Sequence, residues 1–397
     1  MAYLLTITAA DMREINRSAI LEIIRRESPI SRSAIAERLD VSLPTVMRIV
    51  DELVEEGFVR AEGSSEWSGG RRRPLLAFNG ESFVVVGVDM GGTQFYGAIA
   101  DLSGNILDEI NTGRHAASSE ENYRRLVELI DTLLASPRLG ERRVRGIGVG
   151  APGITLHKEG IVTWAYSLSW KEFPLKARLS GQYGLPITVD NDVNLAAMGE
   201  LWFGAGQDIE NMILIGSGAG IGAGIIIDGA LYRGAHKASG EIGNFIPGRE
   251  FLGRDYQDFG ALETVASGTG IVERARLKLR SRRDAAELEA LTADDVFLAA
   301  RRGQPWATSI IAETVDYFAL AIANLAASFD PELIVLGGSI SPFGDLLIGP
   351  ILERLKGTLP TLPRLEVSQL GLRAGVMGAI THVLHSTSNF YVVHKLS

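Results

Sequence analysis

The triplet Asp190-Asn191-Asp192 combines the residue types that bind and activate hydroxyl groups. It follows an apolar segment, residues 186–189, that predicts a strand, and it precedes a predicted helix over residues 193–201. A carboxylate at a helix N-terminus stays ionised because the helix dipole favours negative charge. Asp192 can therefore accept a hydroxyl proton during phosphoryl transfer. Helix capping is the alternative role, since Asp and Asn are also favoured N-cap residues.

Two further acidic residues lie in glycine-rich or apolar surroundings. Glu241 follows Gly240, and Glu263 follows the segment 260–262. Carboxylates and an amide that converge on one cleft suit a polyhydroxylated ligand, because its hydroxyl groups need several fixed acceptors. The sequence thus supplies side chains for a sugar-like ligand.

Three glycine-rich turns follow predicted strands, at residues 89–93, 218–224 and 337–338. Their glycines let backbone N–H groups approach phosphate oxygens. The first also carries a Thr hydroxyl and an Asp that could hold Mg²⁺ through water. The third is a candidate nucleoside contact. A glycine-rich β-scaffold without any ligand fits the same spacing. The candidate contacts are Asp89, Gly91, Gly92, Thr93, Gly220, Gly222, Gly337 and Gly338.

The elements that position these turns read as strands. From Phe83 onward, strands are predicted over residues 83–89, 95–100 and 106–110, joined by glycine turns. The same pattern returns at residues 212–215, 222–227 and Leu231, and a further strand is predicted over 333–336. The two strand–turn–strand–turn–strand units indicate an internal duplication.

The N-terminal part reads as three helices followed by a hairpin. The first helix is predicted over residues 12–26 and ends before Ser28-Pro29; Ser31 and Ser42 can cap the next two. Predicted strands at residues 58–60 and 74–78 flank a Gly-, Ser- and Arg-rich segment, which completes the order of a winged helix-turn-helix. The predicted buried stripe of the third helix is Val46, Ile49, Val50 and Leu53.

The opposite face of the third helix and the wing are the candidate DNA contacts. Polar side chains near a helix N-terminus can read base edges in the major groove, and arginines in a wing can contact phosphates or enter the minor groove. A structural subdomain with a solvated loop is the alternative. The candidate residues are Ser42, Thr45, Arg48, Arg71, Arg72 and Arg73.

The composition restricts the class of protein. The formal net charge is −9, so DNA contact must come from local basic clusters rather than from a basic surface as a whole. Cysteine is absent, which excludes disulfides and thiolate metal sites, and the six histidines form no metal-binding pattern. Neither a secretion signal nor a transmembrane segment is expected, so we expect a cytoplasmic protein without membrane contact.

Together these motifs resemble the ROK family of repressors and sugar kinases, specifically its transcription-regulator branch. Besides the winged helix, the matching segments are residues 89–93, 150–153, 191–194, 220–224, 240–243 and 336–338. The resemblance implies a two-lobed actin/hexokinase-like (ribonuclease H-like) domain with sugar between the lobes. It implies that Asp192 is the catalytic base of active members. The sugar contacts that it implies are Asn191, Asp192, Glu241 and Glu263, and Gly153 of the matching segment 150–153 is a further candidate. Asn244, which stands where the family has a His, can still hydrogen-bond a sugar hydroxyl but cannot titrate as His does.

The sequence departs from the family pattern in two places. The family's zinc site uses one His and three Cys; here Asn244 replaces the His, and Arg254, Tyr256 and Ala261 occupy the Cys positions. We therefore expect no zinc. Ala219 replaces a Thr in the second phosphate loop, which removes a hydroxyl donor.

These observations predict an α/β protein with a winged helix-turn-helix over residues 1–80. A first lobe is expected over residues 81–190 and a second over 191–397, with the last segment of the second expected to pack back on the first. The expected function is a sugar-responsive DNA-binding regulator, a homodimer or homotetramer on a palindromic operator, with no required cofactor. The alternatives are an ATP- and Mg²⁺-dependent sugar kinase that also binds DNA, and a constitutive DNA-binding protein with a vestigial sensor.

Overall fold

The computed structural model describes residues 9–64, 74–91, 94–114, 116–256, 260–281 and 284–387. The helices are α1 (Ala9–Glu27), α2 (Arg32–Leu39), α3 (Leu43–Glu55), α4 (Ser119–Leu134), α5 (Leu175–Tyr183), α6 (Asp192–Phe203), α7 (Glu263–Ala266), α8 (Gly268–Leu279), α9 (Ala285–Glu289), α10 (Ala293–Arg301), α11 (Pro305–Phe329), α12 (Gly344–Leu355) and α13 (Ala374–Thr387). The strands are β1 (Val59–Ser64), β2 (Pro74–Phe78), β3 (Phe83–Asp89), β4 (Gln94–Asp101), β5 (Ile106–Arg114), β6 (Arg143–Ala151), β7 (Ile154–Leu156), β8 (Ile161–Ala165), β9 (Trp170–Phe173), β10 (Ile187–Asn191), β11 (Met212–Ser217), β12 (Ile221–Ile227), β13 (Ala230–Leu231), β14 (Leu333–Gly338) and β15 (Arg364–Val367).

Helices α1–α3 and the β1–β2 hairpin form the winged helix-turn-helix, here called the head. The predicted caps are present: Ser31 Oγ accepts the N–H of Ala34 at 3.2 Å, and Ser42 Oγ accepts the N–H of Thr45 at 3.4 Å. Strands β1 and β2 pair antiparallel. The predicted stripe of α3 is fully buried, so it fixes which face of the helix remains outside: Val46, Ile49, Val50 and Leu53.

Two five-stranded sheets share one topology. The first has the order β10-β6-β3-β4-β5 and the second has the order β13-β12-β11-β14-β15. In each, the first three strands in sequence form an antiparallel meander, and the next two add in parallel beside the first strand. We call the parts built on these sheets the first lobe and the second lobe. The repeated strand order supports the interpretation of an internal duplication.

The C-terminal helix α13 packs on the first sheet although it follows the second sheet in sequence. Its approach requires glycine on β6: a Cβ on Gly148 would lie 2.6 Å from the carbonyl oxygen of Ala379. Helix α13 also contacts α6 closely, since a Cβ on Gly199 would lie 2.2 Å from the carbonyl oxygen of Ala374. The helix therefore lies at the junction of both lobes.

The head shares an apolar cluster with the first sheet and with α13. Phe58 of the head stacks on Phe83 of β3 with ring centroids 5.0 Å apart. The guanidinium of Arg145 lies over the Phe58 ring, 5.1 Å from its centroid, and that of Arg143 lies over the Phe83 ring at 4.7 Å. From α13, the same cluster contains Val376, Met377, Ile380 and Val383.

Helix α11 is the one described helix with the length and hydropathy of a membrane span. Of its most apolar window, 56% is buried inside the protein. Ile310, Phe318 and Ile322 are at most 1% exposed and belong to the main apolar cluster of the second lobe. Its hydropathy is accounted for by packing in the core of that lobe.

Candidate functional site

The β10–α6 junction carries the amide of Asn191 and the carboxylates of Asp190 and Asp192. The predicted helix over 193–201 begins one residue earlier, at Asp192. Asn191 is its N-cap: the side-chain oxygen accepts the N–H of Asn194 at 2.9 Å, and Nδ2 donates to the carbonyl of Gly153 at 3.0 Å. Asp192 Oδ1 accepts the N–H of Val193 at 2.9 Å, and Oδ2 is the oxygen that faces Gly91 and could meet a ligand.

Asp192 faces Asp89 across Gly91. A Cβ on Gly91 would lie 2.5 Å from Oδ2 of Asp192 and 2.9 Å from Oδ1 of Asp89, so glycine is required between them. The N–H of Gly91 donates to Asp89 Oδ1 at 2.8 Å. Burial raises the pKa of both carboxyls, and the charge of Asp192 raises the pKa of Asp89 further. The pair is therefore suited to hold a proton or to face a polar ligand.

Glu241 is the most available acceptor in the second lobe. Burial, followed by the charges of Asp192 and Glu263, raises the pKa of Glu241 to about 7. Within the described parts of the chain its carboxylate accepts no hydrogen bond. Glu241 is half-buried, and its carboxylate is partly desolvated without a donor from the described residues, so the hydroxyl groups of a ligand would supply hydrogen bonds that it lacks.

Glu263 has a structural role as well. Its Oε1 accepts the N–H of Ile221 at 2.7 Å, and its Oε2 accepts the N–H of Gly260 at 3.0 Å. Each carboxylate oxygen has a second lone pair that a ligand could use. Glu263 therefore ties the start of β12 to the loop before α7 and still presents acceptors to the cleft.

Two further predicted contacts lie at the edge of this group. Gly153 adopts a φ of +78°, and a Cβ there would lie 2.0 Å from the carbonyl oxygen of Trp164. Its own carbonyl orients Asn191. Asn244 is exposed, and its Nδ2 donates to the carbonyl of Glu241 at 3.3 Å. Both residues can thus help to position the two ligand-facing side chains.

The residues at the family's zinc positions do not fit zinc, because they offer neither a thiolate nor an imidazole. Instead, Tyr256 donates from its hydroxyl to the carbonyl of Phe251 at 3.1 Å, and the Arg254 guanidinium lies 5.4 Å from the Phe251 ring centroid. Phe251 packs edge-on against Tyr317 with centroids 6.3 Å apart. Packing around one aromatic ring thus holds this loop against α11.

The predicted phosphate and nucleoside contacts of the second lobe, here called the phosphate half, are Gly220, Gly222, Gly337 and Gly338. Most of these glycines are needed for close packing within the protein. A Cβ on Gly222 would lie 3.1 Å from Val193 of α6, and a Cβ on Gly220 would lie 2.4 Å from Glu263 Oε1. Gly338 has a φ of +78° and closely approaches the carbonyl of Ser217, whereas Gly337 meets only ordinary contacts. Gly92 and Thr93 lie outside the described residues.

The second glycine loop also has fewer free donors than its sequence predicts. The N–H of Gly218 donates to the carbonyl of Gly220 at 2.9 Å, and the N–H of Ile221 donates to Glu263. The hydroxyl of Thr269 donates to the carbonyl of Ala219 at 3.0 Å. This loop is therefore tied to the start of α8 by contacts within the protein.

The candidate DNA-binding face lies on the N-terminal half of α3. Ser42 and Arg48 are exposed and Thr45 is half-buried; the hydroxyls of Ser42 and Thr45 lie 2.8 Å apart. Met47, which the sequence analysis did not name, is 47% exposed on the same helix; its position off the buried stripe was the available signal. Arg71, Arg72 and Arg73 lie outside the residues that the structure describes.

The comparisons with known proteins separate the two modules. The ROK family model matches residues 85–386, and a winged helix-turn-helix DNA-binding model matches residues 13–60. The xylose repressor of Caldicellulosiruptor bescii is 30% identical over 398 residues, covering 96% of this chain and 98% of that protein. The glucokinase of Halalkalibacterium halodurans is 36% identical over 309 residues, covering 74% of this chain and 92% of the enzyme.

The solved structures give the same division. The crystal structure of a ROK family transcriptional regulator, a homologue of the E. coli MLC protein, matches with a TM-score of 0.82 and 26% identity over 96% of this chain and 98% of that one. A ROK family glucokinase from Streptomyces griseus, in complex with glucose and AMPPNP, matches with a TM-score of 0.66 and 29% identity over 75% of this chain and 98% of that one. The chain therefore belongs to the ROK family, and it carries an N-terminal winged helix-turn-helix DNA-binding module.

Proposed function

We propose that this protein is a cytoplasmic, sugar-responsive transcription regulator that represses carbohydrate-utilisation genes until a sugar binds between its lobes. The observation that carries the proposal is the presence of two binding surfaces on one chain. The head exposes Ser42 and Arg48 on α3, and the cleft presents Asp192 and Glu241 as acceptors. Sugar hydroxyls are the donors that these acceptors need.

The extent of the matches supports regulation over catalysis. The xylose repressor aligns with nearly the whole chain, including the head, whereas the glucokinases align with about three quarters of it. An effector of pentose or hexose size is therefore the class to test first. Asn191, Asp192, Glu241, Asn244 and Glu263 are the side chains that we expect to bind its hydroxyl groups, with Gly153 orienting Asn191.

The mechanism follows from the two lobes and the head. We propose the head at residues 1–80, the first lobe at 81–190 and the second at 191–397, with α13 returning to the first. Two heads of a homodimer, or of a dimer of dimers, would read a palindromic operator with Ser42, Thr45, Arg48 and the wing arginines. Sugar that binds better to the closed cleft shifts the lobe equilibrium, which changes the spacing of the heads.

Phosphoryl transfer is the second candidate, and the position of Asp192 at the N-terminus of α6 favours it. In that case Asp192 would accept the proton of the sugar hydroxyl, and Asp89 with Gly91 to Thr93, Gly220, Gly222, Gly337 and Gly338 would face Mg²⁺-ATP. The donors already engaged within the second glycine loop argue against this role. In that reaction ATP would be the phosphoryl donor.

A thermal-shift scan tests the proposal. The purified chain is heated with D-xylose, D-glucose, amino sugars, polyols and sugar phosphates, each with and without Mg²⁺-ATP. We expect one compound to raise the unfolding midpoint equally with and without ATP. ADP release with any sugar would favour the kinase. No stabilisation by any compound would favour a vestigial sensor.

A further inference from the structure

Asp190 is a buried carboxylate beside the candidate sugar ligands that the proposed mechanism leaves unused. It is 1% exposed and directly precedes Asn191. Its Oδ1 accepts the N–H of Asn191 and Nη1 of Arg233, both at 2.8 Å, and its Oδ2 lies 2.5 Å from the same guanidinium nitrogen. A buried ion pair of this kind fixes relative positions, because removal of either partner leaves a desolvated charge.

Arg233 belongs to the second lobe, so this ion pair crosses between the lobes. It lies in the loop that leads from β13 to Glu241. The same loop is anchored to the second lobe by its backbone: the carbonyl of Arg233 accepts the N–H of Ser239 at 3.2 Å, and that of Gly240 accepts the N–H of Ala223 at 2.7 Å. The ion pair thereby links the segment that continues into Asn191 and Asp192 with the loop that ends at Glu241.

His382 of α13 approaches the same carboxylate from a third side. Its Nδ1 lies 4.0 Å from Asp190 Oδ2, and this ring nitrogen has no hydrogen-bond partner among the described residues. Burial lowers the pKa of His382, so the ring is neutral at physiological pH and can donate from Nδ1 in one tautomer. A relative movement of about 1 Å would convert the contact into a hydrogen bond.

Helix α13 connects this junction to the head. At its start, a Cβ on Gly375 would lie 2.4 Å from Asp89 Oδ2, so the helix begins against the cleft. Along its length, Ile380 and Val383 belong to the apolar cluster that contains Ile24 and Leu53 of the head. Because close-packed elements shift as units, a displacement of α13 reaches the head directly.

We propose that the Arg233–Asp190 ion pair positions the two halves of the sugar site, and that His382 transmits the position of this pair through α13 to the head. The inference rests on the proposed function, because it assigns the route by which sugar changes DNA binding. Arg233, Asp190 and His382 are positioning residues, since their role is exerted through other residues.

The test measures two affinities in each variant. Sugar affinity is measured by calorimetry with D-xylose or D-glucose, whichever stabilises the protein. Operator affinity is measured by fluorescence anisotropy with a duplex that the protein selects from a randomised library. The ratio of operator dissociation constants with and without saturating sugar is the coupling ratio, expected at about 5–150 in the unaltered protein.

We expect the sugar affinity of His382→Leu, and its operator affinity without sugar, to lie within about threefold of those of the unaltered protein. Its coupling ratio should fall to about 1. His382→Asn keeps a donor near the position of Nδ1 and should retain part of the ratio. Arg233→Gln should weaken sugar binding about tenfold and also lower the ratio. His236→Leu, an exposed histidine of the Arg233 loop, is the matched control and should change neither quantity.

A normal coupling ratio in His382→Leu would overturn the inference. If no sugar alters operator binding even in the unaltered protein, the proposed function fails. The contact of His382 with the Arg233–Asp190 ion pair is then tested by thermal unfolding. The unfolding midpoints of Arg233→Gln, His382→Leu and the double variant should then be non-additive. Strictly additive midpoints would overturn the tie itself.

Discussion

The two halves of the interlobe cleft use similar glycine-rich strand ends in different ways. Around the candidate sugar contacts, Gly91, itself a predicted phosphate contact, leaves room for the carboxylates of Asp89 and Asp192, and Glu241 accepts no hydrogen bond from the described residues. In the phosphate half, Gly222 makes room for Val193, and the N–H groups of Gly218 and Ile221 are bonded within the protein. The first glycine leaves room for ionisable side chains, whereas the second leaves room for an apolar side chain and lies beside two loop N–H groups that are already bonded.

This difference separates recognition from catalysis. A partly desolvated carboxylate without donors, such as Glu241, gains hydrogen bonds when a ligand supplies hydroxyl groups, so this part of the cleft favours a polyhydroxylated ligand. Glycines that accommodate neighbouring side chains and carbonyls are retained for packing alone. Acceptors that lack donors at the sugar contacts, together with glycines that serve packing at the predicted phosphate contacts, suit a sensor. A sensor must bind sugar but need not transfer a phosphoryl group.

The largest expected effect is at the candidate sugar contacts. Asp192→Asn should weaken sugar binding by about 10- to 100-fold, since a charged acceptor is replaced by an amide. It should also raise the unfolding midpoint, because the repulsion that raises the pKa of Asp89 is removed. Calorimetry and thermal unfolding give both numbers. Asp208→Asn, an exposed residue, is the control, and unchanged sugar affinity in Asp192→Asn would break the comparison.

Glu241→Gln sharpens the comparison through pH. The pKa of Glu241 is raised from 4.5 to about 7, so the folded protein holds this proton more tightly than the unfolded chain. Its contribution to folding stability is therefore lost as the pH rises from 4.5 through 7. Without sugar, Glu241→Gln should be more stable than the unaltered protein by about 1–3 kcal/mol near pH 8 and equal to it near pH 4.5.

Denaturant unfolding at both pH values checks this prediction. If the free energy of unfolding of Glu241→Gln differed from that of the unaltered protein by the same amount at both pH values, Gln would act through packing rather than through the loss of a charge. Sugar affinity should fall in the same variant, because an uncharged amide accepts hydroxyl protons less strongly.

In the phosphate half, two adjacent glycines provide a matched pair. Gly338→Ala should lower the free energy of unfolding by about 1–3 kcal/mol, because its φ is +78° and the new Cβ would lie 2.3 Å from the carbonyl oxygen of Ser217. Gly337→Ala should be nearly neutral, since its Cβ would meet Leu214 at 3.5 Å. Neither should change sugar affinity. A loss of sugar affinity in a folded Gly338→Ala would give this half a binding role.

The smallest expected effect is that of nucleotide. Mg²⁺-ATP should change sugar affinity by less than about twofold, because the N–H groups of Gly218 and Ile221 in the second glycine loop are already bonded within the protein. Calorimetric titration of sugar with and without Mg²⁺-ATP measures this. Strong coupling between sugar and ATP would restore the kinase as the leading function.

Local features of the fold were predictable because they depend on short-range chemistry. Ser31 and Ser42 are caps, and the stripe from Val46 to Leu53 follows helical periodicity. Strand ends were less accurate: β5 was predicted to end at Ile110, yet it continues to Arg114, because pairing with β4 resumes beyond a bulge.

Long-range partners gave no sequence signal. Arg233 lies far from Asp190 in sequence, and no periodicity relates them; the same holds for Phe58 and Phe83. Glycine spacing predicted turns but could not say whether a glycine faces a ligand or a side chain such as Val193. The sequence thus predicts which residue types form the candidate site, whereas the neighbours that each residue contacts follow only from the fold.

The most direct test of the account is the affinity of the protein for its selected duplex, measured by fluorescence anisotropy with and without saturating D-xylose or D-glucose. We expect the sugar that stabilises the protein to weaken operator binding by about 5- to 150-fold, and we expect Asp192→Asn to need about 10- to 100-fold more sugar for the same response. Operator affinity that stays constant while the sugar binds the cleft would contradict it.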